Sequence, residues 1–326
     1  MNTRKNIAYI TILQAFAFLC VVMGHALSLY SETGWYHHWH FVPKLHHINQ
    51  VIYNFHMPLF FFISGFLLFA TAKDFSWLKY NRKRFIRLVV SYYIACIFYC
   101  IPIYSYLNIS HSTTPLRDWA SSFLTMRNLG YLWFLISLYV TSFIFTIVIK
   151  TPLRKYPLIL LLIFILCNRY PQYLNLPPPF IYTAMSKLIY FYFGYLVAEY
   201  MNTIKTYINV KNIALLCIIA FTCFYLKYTT VSAAFFILFF FGLFYHLSAR
   251  FPNLSEFPLI RCISANMLLL YVLHEPIMIG MLKTMDFGYS VNPYLMALML
   301  FTFDLIICLN LAYLYNQIRE YITKRQ

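Results

Sequence analysis

Long apolar runs separated by short polar segments are the main pattern along the chain. A helix needs about 20 residues to cross roughly 30 Å of hydrocarbon, because each residue adds about 1.5 Å. Ten runs approach this length, and the fifth to seventh are the shortest: 7–30, 51–72, 88–107, 131–149, 156–170, 185–201, 212–227, 230–249, 263–283 and 292–317. No period-two alternation indicates strands, and lipid requires backbone amides to be hydrogen-bonded internally. The pattern predicts an all-α polytopic membrane helix bundle of about ten transmembrane helices, with 1–326 forming a single domain.

Composition excludes two broad classes of protein. Of all residues, 62% are hydrophobic and only 10% are charged, whereas a soluble domain carries about 25% charged residues. A soluble enzyme of this composition would leave much of its apolar surface in water. The aromatic share of 21% excludes a disordered chain. The 8 cysteines lie mainly inside apolar runs, without CxxC or other metal-ligand spacing, so we expect small buried apolar side chains and no disulfides.

Basic residues indicate how the predicted bundle is oriented. The net charge is +16, from 25 Lys and Arg against 9 Asp and Glu. When the N-terminus is placed inside and the spans alternate, most basic residues fall in inner segments, as cytoplasmic loops require. We therefore expect both termini in the cytoplasm of a multi-pass cell-membrane protein. We expect this positive charge to interact with membrane lipids and not with nucleic acid.

Ionisable residues inside apolar runs mark candidate chemistry, because burying them in a membrane is costly. His25 lies about 27 Å along the first predicted helix, which places it in the outer half of the membrane. Gln14 precedes it by about three turns and therefore shares its helix face. An imidazole screened from bulk water at this depth is a reasonable general base at neutral pH. Asp304 is interpreted instead as a polar residue that joins helices.

Two further polar segments each allow alternative interpretations. The basic segment 79–87, with Arg82, Lys83, Arg84 and Arg87, is predicted to be an inner loop before the third span. It either sets topology and meets anionic lipid headgroups or binds the phosphates of a cytoplasmic cofactor. A group of outer histidines precedes the second span, comprising His37, His38, His40, His46 and His47, with His56 at the start of that span. Metal binding there is conceivable, but the segment has no Cys and only one acid, so a flexible outer loop or a substrate rim is favoured.

Several motifs together resemble one family. They are residues 9–14 with 21–25, Phe55-His56-Met57-Pro58-Leu59-Phe60-Phe61-Phe62-Ile63-Ser64-Gly65-Phe66, Arg84-Phe85-Ile86-Arg87-Leu88, Leu132-Trp133-Phe134-Leu135, residues 189–194, and Tyr271-Val272-Leu273-His274. In this order they resemble the acyltransferase-3 family of membrane O-acyltransferases. The branch of fucose 4-O-acetylase-like and surface polysaccharide O-acetyltransferases is the most similar.

The resemblance implies a cytoplasmic acyl-CoA donor, usually acetyl-CoA, and an acceptor hydroxyl on the outer face. The family's catalytic histidine falls on His25. The family has Arg or Lys eleven positions earlier, where this chain has Gln14. Three explanations stay open: the basic segment binds more of the donor, the donor differs, or this copy is weak or inactive.

We therefore predict acyl transfer from acyl-CoA, most simply of acetyl, to a cell-surface or lipid-linked glycan. His25 is the predicted catalytic base, with no metal cofactor. The donor would be bound by Arg84, Arg87, Arg82, Lys83 and Gln14, and the acceptor by His56, Trp133, His274 and Glu275. The alternatives are a transporter or flippase of a lipid-linked glycan, and a family member without catalytic activity. Assembly as a homo-oligomer is compatible with each of these.

Overall fold

The computed structural model describes residues 8–31, 41–71, 76–106, 116–126, 130–170, 179–284 and 291–324. The α-helices in these ranges are α1 Ala8–Ser28, α2 Pro43–Thr71, α3 Trp77–Phe85, α4 Ser91–Ala95, α5 Ile101–Tyr106, α6 Leu116–Leu124, α7 Trp133–Val148, α8 Pro157–Arg169, α9 Pro179–Glu199, α10 Met201–Tyr207, α11 Val210–Tyr225, α12 Thr229–Arg250, α13 Pro258–Ala265, α14 Met267–Thr284 and α15 Pro293–Thr323. The described residues form no strand. The predicted all-α class is confirmed.

Within the described residues, seven helical segments are long and apolar enough to cross a membrane. Two further pairs qualify if each is counted as one bent span: α10 with α11, bent by 94°, and α13 with α14, bent by 89°. The fifth predicted span corresponds to α8, which has only 13 residues. The structure thus confirms a multi-pass membrane helix bundle. The count of ten and the cytoplasmic termini stay predictions.

The second and third spans begin earlier than the apolar runs suggest. Helix α2 starts at Pro43, so His46 and His47 lie in its first turns and His56 lies in its middle. The interpretation of His46 and His47 as an outer loop, and of His56 as the start of the span, is therefore wrong. Polar residues in the first turns of α2 hide its start from a search for apolar runs. His37, His38 and His40 lie outside the described residues.

The third span is one helical stretch, Trp77–Ile103. It contains two π-helical segments, Ile86–Val90 and Cys96–Cys100, between its α-helical parts. The basic residues predicted to lie in a loop before this span are therefore helical, and that prediction is wrong. No Gly or Pro interrupts 77–101, so the helix extends through charged residues that an apolar criterion excludes.

The chain divides into two compact units, and the boundary between Phe60 and Phe61 falls within α2. The first unit comprises Met1–Phe60 and Thr206–Gln326. In it α1 packs against α12, α13, α14 and α15, and α11 packs against α12. Phe16 of α1 illustrates this packing, since its ring stacks at 6.2 Å on Phe55 and lies 4.4 Å from Phe240. Helix α1 is therefore surrounded by neighbours of its own unit.

The second unit, Phe61–Lys205, is built around α9, which packs against α7 and α8. Hydrogen bonds to the α9 backbone join the helices: Thr141 Oγ1 donates to the Ala184 carbonyl at 3.0 Å, and Asn168 Nδ2 donates to the Ser186 carbonyl at 2.6 Å. Such bonds link membrane helices because hydrocarbon supplies no alternative partner.

Candidate active site

The backbone around His25 is attached to α2 by polar contacts. Buried Asn49 donates its side-chain amide to the Gly24 carbonyl at 2.7 Å, and Ser28 Oγ donates to the His25 carbonyl at 2.7 Å. The Tyr53 phenol forms a side-chain hydrogen bond with Ser28. A Cβ atom at position 24 would lie 3.0 Å from the Tyr53 ring, so glycine permits this close approach. These contacts define the position of the C-terminal end of α1.

The His25 side chain lies in a compact ionisable cluster with His274 and Glu275 of α14. The potential ligand atoms of the three side chains all lie within 4.8 Å of one another. The two imidazole centroids are 5.1 Å apart. His274 is fully buried and Glu275 is 6% exposed, whereas His25 is half-buried. The fold thus joins the predicted site residue His25 to two others, His274 and Glu275, which lie about 250 positions later in the chain.

Backbone carbonyls fix the tautomers of two neighbouring histidines. Nδ1 of His274 lies 2.7 Å from the Tyr271 carbonyl, and Nδ1 of His56 lies 2.8 Å from the Ile52 carbonyl. A carbonyl can only accept, so each Nδ1 carries a proton. In the neutral ring the Nε2 atom then carries the lone pair. His56 is buried, its ring lies 4.9 Å from that of Tyr53, and it interacts electrostatically with His25.

This arrangement suits proton transfer. An imidazole can take a proton from a hydroxyl, and a carboxylate beside it stabilises the imidazolium that forms. Glu275 supplies that carboxylate in a buried setting, where its effect is stronger than in water. His274 and Glu275 were expected to bind the acceptor; the structure additionally places them against the predicted base.

Gln14 lies on the same helix as His25 and contacts a broken span. Its Oε1 atom accepts a hydrogen bond of 2.9 Å from Ser264 Oγ, near the end of α13. One residue beyond Ala265 the chain bends by 89° into α14. Ser264 and this bend were not predicted, although the polar Asn266 between two apolar stretches is a signal for the bend. Asn49 and Tyr53 were missed as well, because nothing local distinguishes them.

The predicted donor-binding cations belong to the second unit. Buried Asn81 anchors their helix by donating to the Trp77 carbonyl at 2.9 Å and to Thr146 Oγ1 of α7 at 3.2 Å. Arg84 is half-buried, its Nη1 donates to the Tyr80 hydroxyl at 3.1 Å, and its Nε has no hydrogen-bond partner in the described residues. The other three predicted donor-binding cations, Arg82, Lys83 and Arg87, lie on the same helical stretch and are exposed.

Trp133 also belongs to the second unit, where it is the first residue of α7. It is half-buried, and its ring lies 6.3 Å from that of Phe134. The predicted site residues therefore fall into two groups. Gln14, His25, His56, His274 and Glu275 belong to the first unit. The second unit contains Trp133 and the four cations.

Comparison with known proteins identifies the family. No curated protein and no solved structure matches the chain significantly. The family model Acyl_transf_3, described as an acyltransferase domain, matches residues 7–314. The match covers nearly the whole chain, including the helices that carry the His25 cluster and the basic segment. The chain belongs to the acyltransferase-3 family and is a multi-pass membrane acyltransferase.

Proposed function

We propose that this protein transfers an acetyl group from acetyl-CoA to a hydroxyl of a cell-surface or lipid-linked glycan in the cytoplasmic membrane. The observation that carries the proposal is the placement of the His25 imidazole against His274 and Glu275, with their ligand atoms within 4.8 Å. A membrane acyltransferase needs a base to activate its acceptor, and this cluster combines an imidazole with a buried carboxylate. The glycan acceptor and the branch of the family follow from the motif resemblance.

The chemical step is assigned to His25. As the acceptor hydroxyl oxygen attacks the thioester carbonyl carbon, the His25 imidazole takes the hydroxyl proton. The carbon–sulfur bond then breaks, and the departing CoA thiolate recovers the proton from the imidazolium. Glu275 stabilises the imidazolium between these steps. His56 and Trp133 are proposed acceptor contacts, and Gln14 is a hydrogen-bonding contact for the donor.

The basic segment is proposed to bind the donor phosphates. Arg84 is half-buried, and Arg82, Lys83 and Arg87 are exposed. Acetyl-CoA carries several phosphate charges, which guanidinium groups bind through charge-assisted hydrogen bonds. Gln14 offers no such charge, so we favour the explanation in which this segment supplies more of the donor affinity.

Charge removal at Arg84 and Arg87 should weaken donor binding. A hydrogen bond to a charged group contributes about 1.5–3 kcal/mol, so Arg84→Gln and Arg87→Gln are each expected to raise the acetyl-CoA Kd by at least about tenfold. Titration of the purified protein with acetyl-CoA measures this. Lys205→Gln is the matched control, because Lys205 is an exposed cation on α10 that hydrogen-bonds Asn202. Unchanged affinity in both arginine variants, with the protein correctly folded, would remove the segment from donor binding.

The activity itself is tested on surface glycans. Mass spectrometry should detect polymer of normal length without acetyl esters in cells that lack the protein, and reintroducing the gene should restore the esters. Loss of the polymer itself would instead indicate export. That alternative is kept because the two bent helix pairs are a feature of transporters. Esters that persist in the deletion strain would contradict the proposal.

A further inference from the structure

The cluster of His25, His274 and Glu275 has the donor set of a transition-metal site. Two imidazole nitrogens and one carboxylate oxygen lie within 4.8 Å of one another. Zn²⁺ and similar divalent ions prefer these ligands, whereas Mg²⁺ and Ca²⁺ prefer oxygen alone. The ligands come from two helices, α1 and α14, so no spacing motif in the sequence indicates them.

His274 is already oriented as metal-binding histidines are. Its Nδ1 proton is donated to the Tyr271 carbonyl at 2.7 Å, which places the lone pair of the neutral ring on Nε2. Ligating histidines characteristically donate their other ring N–H to a carbonyl or carboxylate, which fixes the tautomer and the ring angle. The tautomer required for coordination is therefore set by the backbone of α14 itself.

The dimensions of the cluster permit coordination after a small contraction. Nitrogen and oxygen ligands lie about 2.0–2.2 Å from Zn²⁺ in a tetrahedral arrangement, so two of them are separated by about 3.3–3.6 Å. Ligand atoms within 4.8 Å of one another therefore need shifts of up to about 0.7 Å per side chain. Rotation about side-chain bonds can supply such shifts without moving either helix.

The charge of the Glu275 carboxylate also favours a bound divalent cation. Glu275 is 6% exposed within an apolar helix, and an ionised carboxylate in that setting requires a nearby positive charge. In the catalytic cycle an imidazolium supplies it transiently. A divalent cation would supply this positive charge continuously. The His25 lone pair would then coordinate the cation.

We propose that His25, His274 and Glu275 bind one Zn²⁺ ion, with water completing the coordination, and that this ion inhibits acyl transfer. The site depends only on the cluster. Its inhibitory effect rests on the proposed function, because an imidazole that coordinates Zn²⁺ has no lone pair with which to take a proton from the acceptor.

The site is tested with the full chain in detergent micelles after treatment with a chelator. Titration with Zn²⁺ should show one saturable ion per chain, and Co²⁺ should give the visible absorption of a four- or five-coordinate nitrogen and oxygen site. Glu275→Gln and His274→Gln should each weaken Zn²⁺ binding by more than about 100-fold, since loss of a ligand exceeds the effect of losing its supporting hydrogen bond. Zn²⁺ should also reduce acetyl transfer by the wild-type protein over the same concentration range, and a chelator should reverse this.

Two controls locate the binding. Asp304→Asn makes the same carboxylate-to-amide change at another buried membrane position. His47→Gln removes an imidazole from the first turns of α2. Both should retain Zn²⁺ binding. Absence of a stoichiometric ion in the wild type would overturn the proposal, and so would binding that survives in Glu275→Gln and His274→Gln. Binding without inhibition would overturn the inhibitory role and would also count against His25 as the base, whereas failure of acetyl transfer alone would leave the ion titration unaffected.

Discussion

Replacing His25 with alanine is expected to reduce acetyl transfer by about 100- to 10,000-fold, the range supplied by general base catalysis. The hydroxyl of a sugar is a poor nucleophile until its proton is removed, and the His25 imidazole is the proposed proton acceptor. Transfer of labelled acetyl from acetyl-CoA to isolated glycan measures the effect. Acetyl-CoA affinity should be nearly unchanged, because the proposed phosphate contacts are made by other residues.

The control for this variant is His47→Ala. His47 is a half-buried histidine near the start of α2, and its Nε2 atom lies 3.1 Å from the Tyr225 hydroxyl. This substitution removes an imidazole of the first unit without touching the His25 cluster, so transfer should stay near the wild-type rate. If His25→Ala retains wild-type transfer while remaining folded, the proposed mechanism is wrong.

The length of the apolar runs was sufficient to identify the membrane bundle, and an ionisable residue inside one run indicated the candidate base. Each predicted apolar run corresponds to a helix or to part of a bent pair, because the need to span hydrocarbon determines run length directly. The helical period of about 3.6 residues placed Gln14 and His25 on one face of α1. The approach of Glu275 and His274 to His25 could not be obtained in this way, since it depends on packing between segments about 250 residues apart.

Helix ends and breaks were the other features that a single sequence concealed. The first turns of α2 and of the third span are polar. A search for apolar runs therefore places the start of each helix after these turns. The bend after α13 arises between two stretches that read as one apolar segment with Asn266 inside it. The Ser264 contact with Gln14 follows from that bend and was missed together with it.

Gly65→Ala should prevent stable folding of the second unit. A Cβ atom at position 65 would lie 1.8 Å from the Phe191 carbonyl oxygen, and one at Gly194 would lie 1.9 Å from the Phe62 carbonyl oxygen. Helices α2 and α9 therefore cross with their backbones in contact, as small residues allow in membrane proteins. Neither obstacle is a side chain that can rotate away, so the helices must separate. We expect a loss of more than about 3 kcal/mol, at the upper end of the cost of overpacking.

Gly242→Ala is the matched control for this prediction, because it makes the same change in another membrane helix. There the nearest atom to a new Cβ is Ile213 Cγ1 at 3.3 Å, the flexible part of a side chain. Alanine also favours helix by about 1 kcal/mol over glycine, which offsets the small contact. Thermal unfolding followed by size-exclusion chromatography in detergent should show wild-type behaviour for Gly242→Ala and little folded protein for Gly65→Ala. Equal thermal stability of the two variants would show that α2 and α9 do not make this close backbone crossing.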